Sequence, residues 1–228
     1  MQKFEAISLK KLNTFGIDVR ANSLIVVESR QDLIDIYNKG VFKKKFFILG
    51  GGSNVLFVDN YDGEVVQINL KGIEFKSQEQ DSIVSCFAGE VWDDFVKLSL
   101  ERNLNGLENL SLIPGSVGAS AVQNIGAYGV EAKDFIESVE YFDIESGVFK
   151  TLNNLECEFD YRSSIFKTRL LSQAIVTQVT FRFSNVINLN FTYPDILTYL
   201  ETHALEQKDV TPQMLRDIIC EVRLKKLP

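Results

Sequence analysis

The sequence predicts an α+β fold of two lobes, on three observations. Short apolar, β-like runs alternate with a few amphipathic helical segments through the first 184 residues. Two glycine clusters, Gly50 to Gly52 and Gly106 to Gly129, interrupt that pattern where side chains are given up and backbone can come close to something. Past Ser184 the character changes to an Asn-rich stretch and then a helical pattern, so a third region begins there. The predicted organisation is a first lobe over 1–70, a second over 71–184 and a helical region over 185–228.

Each element follows from local pattern. Ser23 to Glu28 reads as a strand, and Gln31 to Lys39 as a helix burying Leu33, Ile34, Ile36 and Tyr37, with Gly40 as its stop. Strands at 46–49, 55–58 and 64–68 complete the first lobe. The second opens with a strand over Ile83 to Ala88. A helix from Val91 to about Arg102 follows, with Trp92, Phe95, Val96 and Leu100 inward and an Asp93–Lys97 pair outside. Strands at 138–144, 148–151 and 174–183 make a second sheet, with the loop Glu156 to Lys167 before the last of them. Asn185 to Asn190 is loose, and Thr192-Tyr193-Pro194 puts an aromatic hydroxyl in a turn. Thr211-Pro212 starts a helix, the threonine as N-cap and the proline at the first helical position. Met214, Leu215, Ile218, Ile219 and Val222 recur there at helical spacing, and that face needs something to pack on. The chain ends five residues after Arg223 without a closing strand or capping glycine, which reads as cut rather than finished.

Composition narrows the function classes. With 228 residues, 45% hydrophobic and 24% charged, the chain can bury a sizeable core. The net charge of −7, with no basic run beyond Lys43 to Lys45 and Lys225 to Lys226, argues against nucleic acid as a main partner. No apolar leader opens the chain and no long uncharged stretch follows, so the expectation is a cytoplasmic protein with no membrane insertion. Cys86, Cys157 and Cys220 are widely spaced, suggesting neither a disulfide framework nor a metal site. The single His203 lies in the polar stretch Glu201 to Lys208 and reads as a surface residue.

The glycine clusters carry the functional signal. Gly106 to Gly129 holds five glycines and one charge, Glu108, with Gln123 and Asn124 as its main polar groups. It is either a loop packed on a large flat ligand with polar edges or a buried connection that packs on itself. After the strand Phe46 to Leu49, the sequence GGGSN from Gly50 to Asn54 fits neither a Walker loop nor a dinucleotide fingerprint. It is either a nest of backbone N–H groups for a pyrophosphate or a tight hairpin. In the loop Tyr161 to Lys167, Arg162 is the side chain suited to a carboxylate or a developing enolate.

Five segments in order, NTFGID from Asn13, LGGGSNVL from Leu49, GLENLSLIPGSVG from Gly106, QNIGAYG from Gln123 and YRSSIFK from Tyr161, resemble the UDP-N-acetylenolpyruvoylglucosamine reductases of peptidoglycan synthesis. The branch most resembled carries a tyrosine-bearing loop, here with Tyr193. The resemblance implies an FAD-binding fold of the vanillyl-alcohol-oxidase type, two α+β lobes holding FAD, with a third substrate domain missing after residue 228. The cofactor would lie against Gly50, Gly51, Gly52, Ser53 and Asn54 on one side. Pro114, Gly115, Ser116, Gly118, Val122, Asn124 and Gly126 would face it on the other. The implied reaction is NADPH-driven, FAD-dependent reduction of the enolpyruvyl group of UDP-N-acetylglucosamine-enolpyruvate to UDP-N-acetylmuramate, by a monomer. Arg162 would stabilise the enolate. Tyr193 and Lys226 would hold the diphosphate side of the UDP-sugar, and Tyr128 belongs to the same substrate-binding set.

The chain departs from the family's pattern in one respect. The family's proton-donating serine, in a GSFFKNP-like segment, and its late glutamate have no counterpart here, so the expectation is a chain that holds flavin weakly and reduces substrate poorly. A non-catalytic flavin-binding module and a flavin-dependent oxidase of a small alcohol are the other readings of the same residues.

Overall fold

Hydrophobic alternation in the first 70 residues builds a four-stranded mixed sheet in a computed structural model that describes residues 1–77 and 81–226. Its strands are β1 (Gln2–Ser8), β2 (Arg20–Val27), β3 (Phe46–Leu49) and β4 (Tyr61–Ile68), in the order β1-β2-β4-β3. β1 pairs antiparallel with β2, while β2 and β3 both run parallel to β4. Between β2 and β3 lies α1 (Arg30–Asn38), begun by a capping box. Ser29 Oγ accepts the Asp32 N–H at 3.2 Å and Asp32 Oδ2 accepts the Ser29 N–H at 3.1 Å. That reciprocal pair sets the helix start one residue earlier than the apolar pattern does.

The segment Val55 to Val58, expected as a strand, is not one. Parallel β3 and β4 cannot be joined by a hairpin, so residues 50–60 serve as the crossover and have no ladder to enter. The alternation still has a cause. Phe57 is buried beneath the first sheet with Leu49 and Val65, while Leu56 and Val58 face outward.

The second sheet holds β5 (Ile73–Ser77), β6 (Asp81–Phe87), β9 (Ile136–Asp143), β10 (Val148–Asn153) and β11 (Ala174–Ser184), all antiparallel in the order β10-β9-β11-β6-β5. Between β6 and β9 come α2 (Trp92–Glu101), α3 (Val117–Val122) and the two-residue strands β7 (Gly126–Ala127) and β8 (Val130–Glu131). The glycine-rich segment is therefore an ordered turn, helix and hairpin rather than one long loop. Trp92 and Phe95 of α2 are fully buried against Phe181 of β11, and Trp92 Nε1 donates to the Leu110 carbonyl at 2.8 Å. Ile25, Leu33 and Val66 share one continuous core with Val84, Phe142 and Phe181, so the two sheets are packed as one body.

Past β11, α4 (Pro194–Thr202) and α5 (Pro212–Lys226) form a pair with its own core of Ile196, Leu200, Leu215, Ile218 and Ile219. Pro194 begins a helix, so Tyr193 sits at the N-cap position of α4 rather than inside a turn. Thr211 Oγ1 accepts the Met214 N–H at 3.2 Å, the cap expected for α5. The face that needed a partner finds it in α4 and in the turn Glu108–Leu110. The terminal Leu227-Pro228 lies outside the described residues. Cys86 and Cys157 are buried, Cys220 is half-buried, and His203 is exposed. Among the described residues no helix is long and apolar enough to cross a membrane, and no cluster of His, Cys, Asp or Glu is arranged to hold a metal ion.

Candidate functional site

The two glycine clusters meet. A Cβ placed on Gly51 would lie 3.5 Å from Gly115 Cα, and one on Gly50 would lie 3.0 Å from Ser116 Oγ. The Gly50 position is tight, since the Ser116 hydroxyl would have to give way, while Gly51 holds the two backbones at van der Waals distance. Gly52 adopts φ +73° and its Cβ would fall 2.0 Å from the Leu12 carbonyl oxygen, so only glycine fits. Thr14 N–H donates to the Gly52 carbonyl at 3.2 Å, which ties the NTFGID segment beneath this turn. Gly118 packs α3 onto β6, since its Cβ would meet Ala88 Cβ at 2.7 Å.

Beside this contact lies a cavity of 360 Å³, within the range of small-molecule sites. Its walls come from both sheets, with Phe46 to Ile48 of β3 on one side and Ala174 to Val176 of β11 on the other. Gly50, Asn54, Ser116, Gly118 and Val122 line it, and the Asn54 amide donates to Gln123 Oε1 at 3.0 Å across its rim. Among the described residues the backbone N–H groups of Gly51, Gly52, Ser53 and Asn54 find no acceptor. Such a run of donors, one of them on buried Gly52, is a seat for oxygen atoms.

Side chains brace this cradle from behind. Gly115 accepts the Trp92 N–H at 3.1 Å, and Ser116 caps α3. Pro114 is exposed at the loop's edge. Asn124 is fully buried with its amide engaged. It donates to Glu131 and to the Asp160 carbonyl at 3.0 Å and accepts the Lys133 N–H at 3.0 Å. It therefore ties the QNIGAYG turn to the YRSS loop. Glu108, also buried, accepts the Gly106 N–H at 2.7 Å and leaves its second oxygen without a partner. Burial pushes its carboxyl up.

Arg162 stands at the tip of the YRSS loop with φ +53°. Its guanidinium donates to the Gly126 carbonyl, stays exposed and has no carboxylate partner among the described residues. Ser164 Oγ donates to the Val122 carbonyl at 2.6 Å, fastening this loop to the end of α3.

A second cluster gathers Tyr128, Tyr193 and Lys226. The two tyrosine rings meet edge to face at 4.9 Å, and the Arg223 guanidinium lies 6.0 Å from the Tyr128 ring centre. Lys226 pairs with Asp195 at 2.5 Å, and that hydrogen bond raises the ammonium above its ordinary pKa. Burial raises the Tyr128 phenol, against the pull of Arg223 and Lys226. Three residues spread over 98 positions of sequence thus share one surface.

What holds α5 in place was not visible as a pattern. Arg216 is 4% exposed and grips Asp93 with both nitrogens at 2.9 Å while also donating to Ser111 Oγ at 2.6 Å. Asp93 was expected to face Lys97 outside. That contact exists at 3.5 Å, but the bidentate pair is its principal partner. Burial works to raise the Asp93 carboxyl, yet the Arg216 and Leu112 hydrogen bonds and the nearby cations outweigh it and hold it below the ordinary value. Buried Asn109 likewise donates to the Tyr128 and Asn190 carbonyls at 2.9 and 3.0 Å, pinning the loop before α4.

Residues 21–153 match the model of the FAD binding domain family. The chain is 42% identical over 225 residues to a UDP-N-acetylenolpyruvoylglucosamine reductase of Shewanella sp. (strain ANA-3), covering 97% of this chain and 63% of that one. To the protein of the same name from Flavobacterium johnsoniae it is 42% identical over 226 residues, covering 97% and 65%. It therefore spans less than two thirds of these relatives' length. Among solved structures, the UDP-N-acetylenolpyruvylglucosamine reductase from Thermus caldophilus superposes with a TM-score of 0.67 at 24% identity, covering all of this chain and 70% of that one. A cholesterol oxidase from B. sterolicum gives 0.58 at 13% identity, covering 80% and 37%. The fold is the vanillyl-alcohol-oxidase type that the motifs implied.

Proposed function

A match over more than half its length places this chain in the FAD binding domain family, and from that premise we propose that it carries the flavin-holding and anion-binding parts of an enolpyruvyl reductase. The reaction is NADPH-driven reduction of UDP-N-acetylglucosamine-enolpyruvate to UDP-N-acetylmuramate in peptidoglycan precursor synthesis. One observation carries this reading: the unpaired backbone donors of Gly51 to Asn54 stand beside a cavity shared by both lobes.

The residues fit FAD. Donors without net charge at Gly51 to Asn54 suit a diphosphate, and apolar walls suit flat rings. When bound, FAD supplies the hydride relay between the nicotinamide and the enolpyruvyl double bond. The chain's own residues do the rest. Asn54 and Gln123 bridge the two cradle segments, and Gly50 and Gly118 let the backbone approach. Arg162, unpaired by any carboxylate among the described residues, offers its remaining guanidinium N–H groups to the substrate carboxylate and to the enolate that develops beside it. Tyr128, Tyr193 and Lys226 hold the diphosphate of the UDP-sugar once that anion replaces Asp195 on the ammonium.

The serine motif that protonates the enolate in the resembled family does not occur in these 228 residues. The test is anaerobic. NADPH should bleach the flavin-loaded chain, and enolpyruvyl substrate should restore the colour, more slowly after Arg162→Ala. Failure of the substrate to restore the colour, or recolouring that ignores Arg162, would contradict the assignment.

A further inference from the structure

The cavity that the flavin reading fills has one charged residue among its described walls, Lys167. Its ammonium donates to the Arg162 carbonyl at 2.8 Å and forms no ion pair with any described carboxylate. Most cations elsewhere on the chain are otherwise engaged. Lys71, Lys97, Lys133, Lys150 and Lys226 each face an acid, while Arg30 and Arg102 lie over aromatic rings. Lys167, an exposed residue, thus brings to the edge of a largely apolar cavity a positive charge without an ion-pair partner among the described residues.

The glycine loops explain the need for it. The N–H groups of Gly51 to Asn54 give hydrogen bonds to an oxyanion but carry no net charge. The helix beginning at Val117 has only six residues, too short to supply a useful dipole. A dinucleotide brings two negative charges on its diphosphate, and backbone donors alone leave them unbalanced. We propose that Lys167 is the counter-cation of the FAD diphosphate, adding net charge to the uncharged donors of the GGGSN turn. The assignment rests on the flavin reading of the cavity and adds to it a residue that selects the dinucleotide over the bare isoalloxazine. The bond to the Arg162 carbonyl gives Lys167 a second effect, because the same side chain steadies the loop that presents Arg162.

Flavin binding separates these roles without any turnover. FAD and riboflavin are titrated, by fluorescence quenching, into the unmodified chain, Lys167→Met and Lys167→Arg, each first checked for an unchanged melting transition. The expected result is an FAD affinity about tenfold lower in K167M, the scale of one charge-assisted contact, with riboflavin binding within about twofold of the unmodified chain and K167R close to it for both. Should K167M not fold, the salt dependence of the unmodified chain serves instead, FAD weakening with added salt while riboflavin does not. An unchanged FAD affinity in K167M, an equal loss for FAD and riboflavin, or salt-insensitive FAD binding would overturn the proposal while leaving the flavin site standing. If neither flavin binds the unmodified chain, the cavity reading itself falls.

Discussion

The glycine cradle and the tyrosine–lysine cluster solve similar problems by opposite means. Both face phosphates in the proposed function, but the cradle is made of backbone and the cluster of side chains. At Gly50, Gly51 and Gly52 recognition comes from removing atoms, so that the loop packs closely on its neighbours and the N–H groups of Gly51 to Asn54 are left to donate. At Tyr128, Tyr193 and Lys226 it comes from adding them, on a buried ring, an exposed ring and an exposed ammonium already paired with Asp195. The cradle depends on conformation and is insensitive to salt except through Lys167. The cluster depends on α5 staying docked and on exposed charge, which salt screens.

That contrast can be broken at Arg216, where the largest effect is expected. Arg216→Ala removes the bidentate partner of the half-buried Asp93 and leaves it only the Leu112 N–H and Lys97, a change worth about 1.5–3 kcal/mol. It should release α5, and Lys226 with it, as a loss of UDP binding in calorimetry while FAD binding survives. Loss of both together would mean that the two regions are one cooperative unit. Acid should act on the same joint. The Asp93 carboxyl is lower in the folded chain than in the unfolded one, so the pair's contribution is present above the ordinary carboxylate value, about 4, and fades as pH falls through the lower folded value. R216A should flatten the acid limb of a pH-dependent melt, and an unchanged limb would remove Asp93 from the account.

Gly52→Ala tests the other side. A side chain at φ +73° costs about 1–2 kcal/mol before the clash with the Leu12 carbonyl is added. FAD binding should be lost and UDP binding kept, the mirror image of R216A. The smallest effect is expected from Lys226→Met, which should weaken UDP binding several-fold and remove part of its salt dependence without touching flavin.

The same contrast governs how much was legible in the sequence. Glycine runs are local, so the cradle could be read from Gly50 to Asn54 and from Gly106 to Gly129 before any contact was known. The cluster's members lie far apart, and Tyr193 and Lys226 were reached through resemblance alone. Arg216 gave no signal, because one arginine on an amphipathic helix looks solvated until Asp93 is seen facing it. Helix α3 was missed because VGASAV has neither charge nor period. Helix α4 was missed although Pro194 obeys the same rule that found α5 at Pro212. The edge strands β1 and β5 were missed as well, although Ile73, Glu74, Phe75 and Lys76 of β5 alternate strictly in polarity and exposure. The hairpin alternative at GGGSN failed for a topological reason, the parallel pairing of β3 with β4, which no window of sequence contains.

The central claim is that the two glycine loops form a flavin seat within this chain. The most direct measurement is the visible absorption of the purified protein, followed by its titration with FAD. Bound flavin with a saturable, perturbed spectrum, abolished by Gly52→Ala, is the result predicted. A colourless, well-folded protein that leaves the spectrum of added FAD unchanged would contradict it.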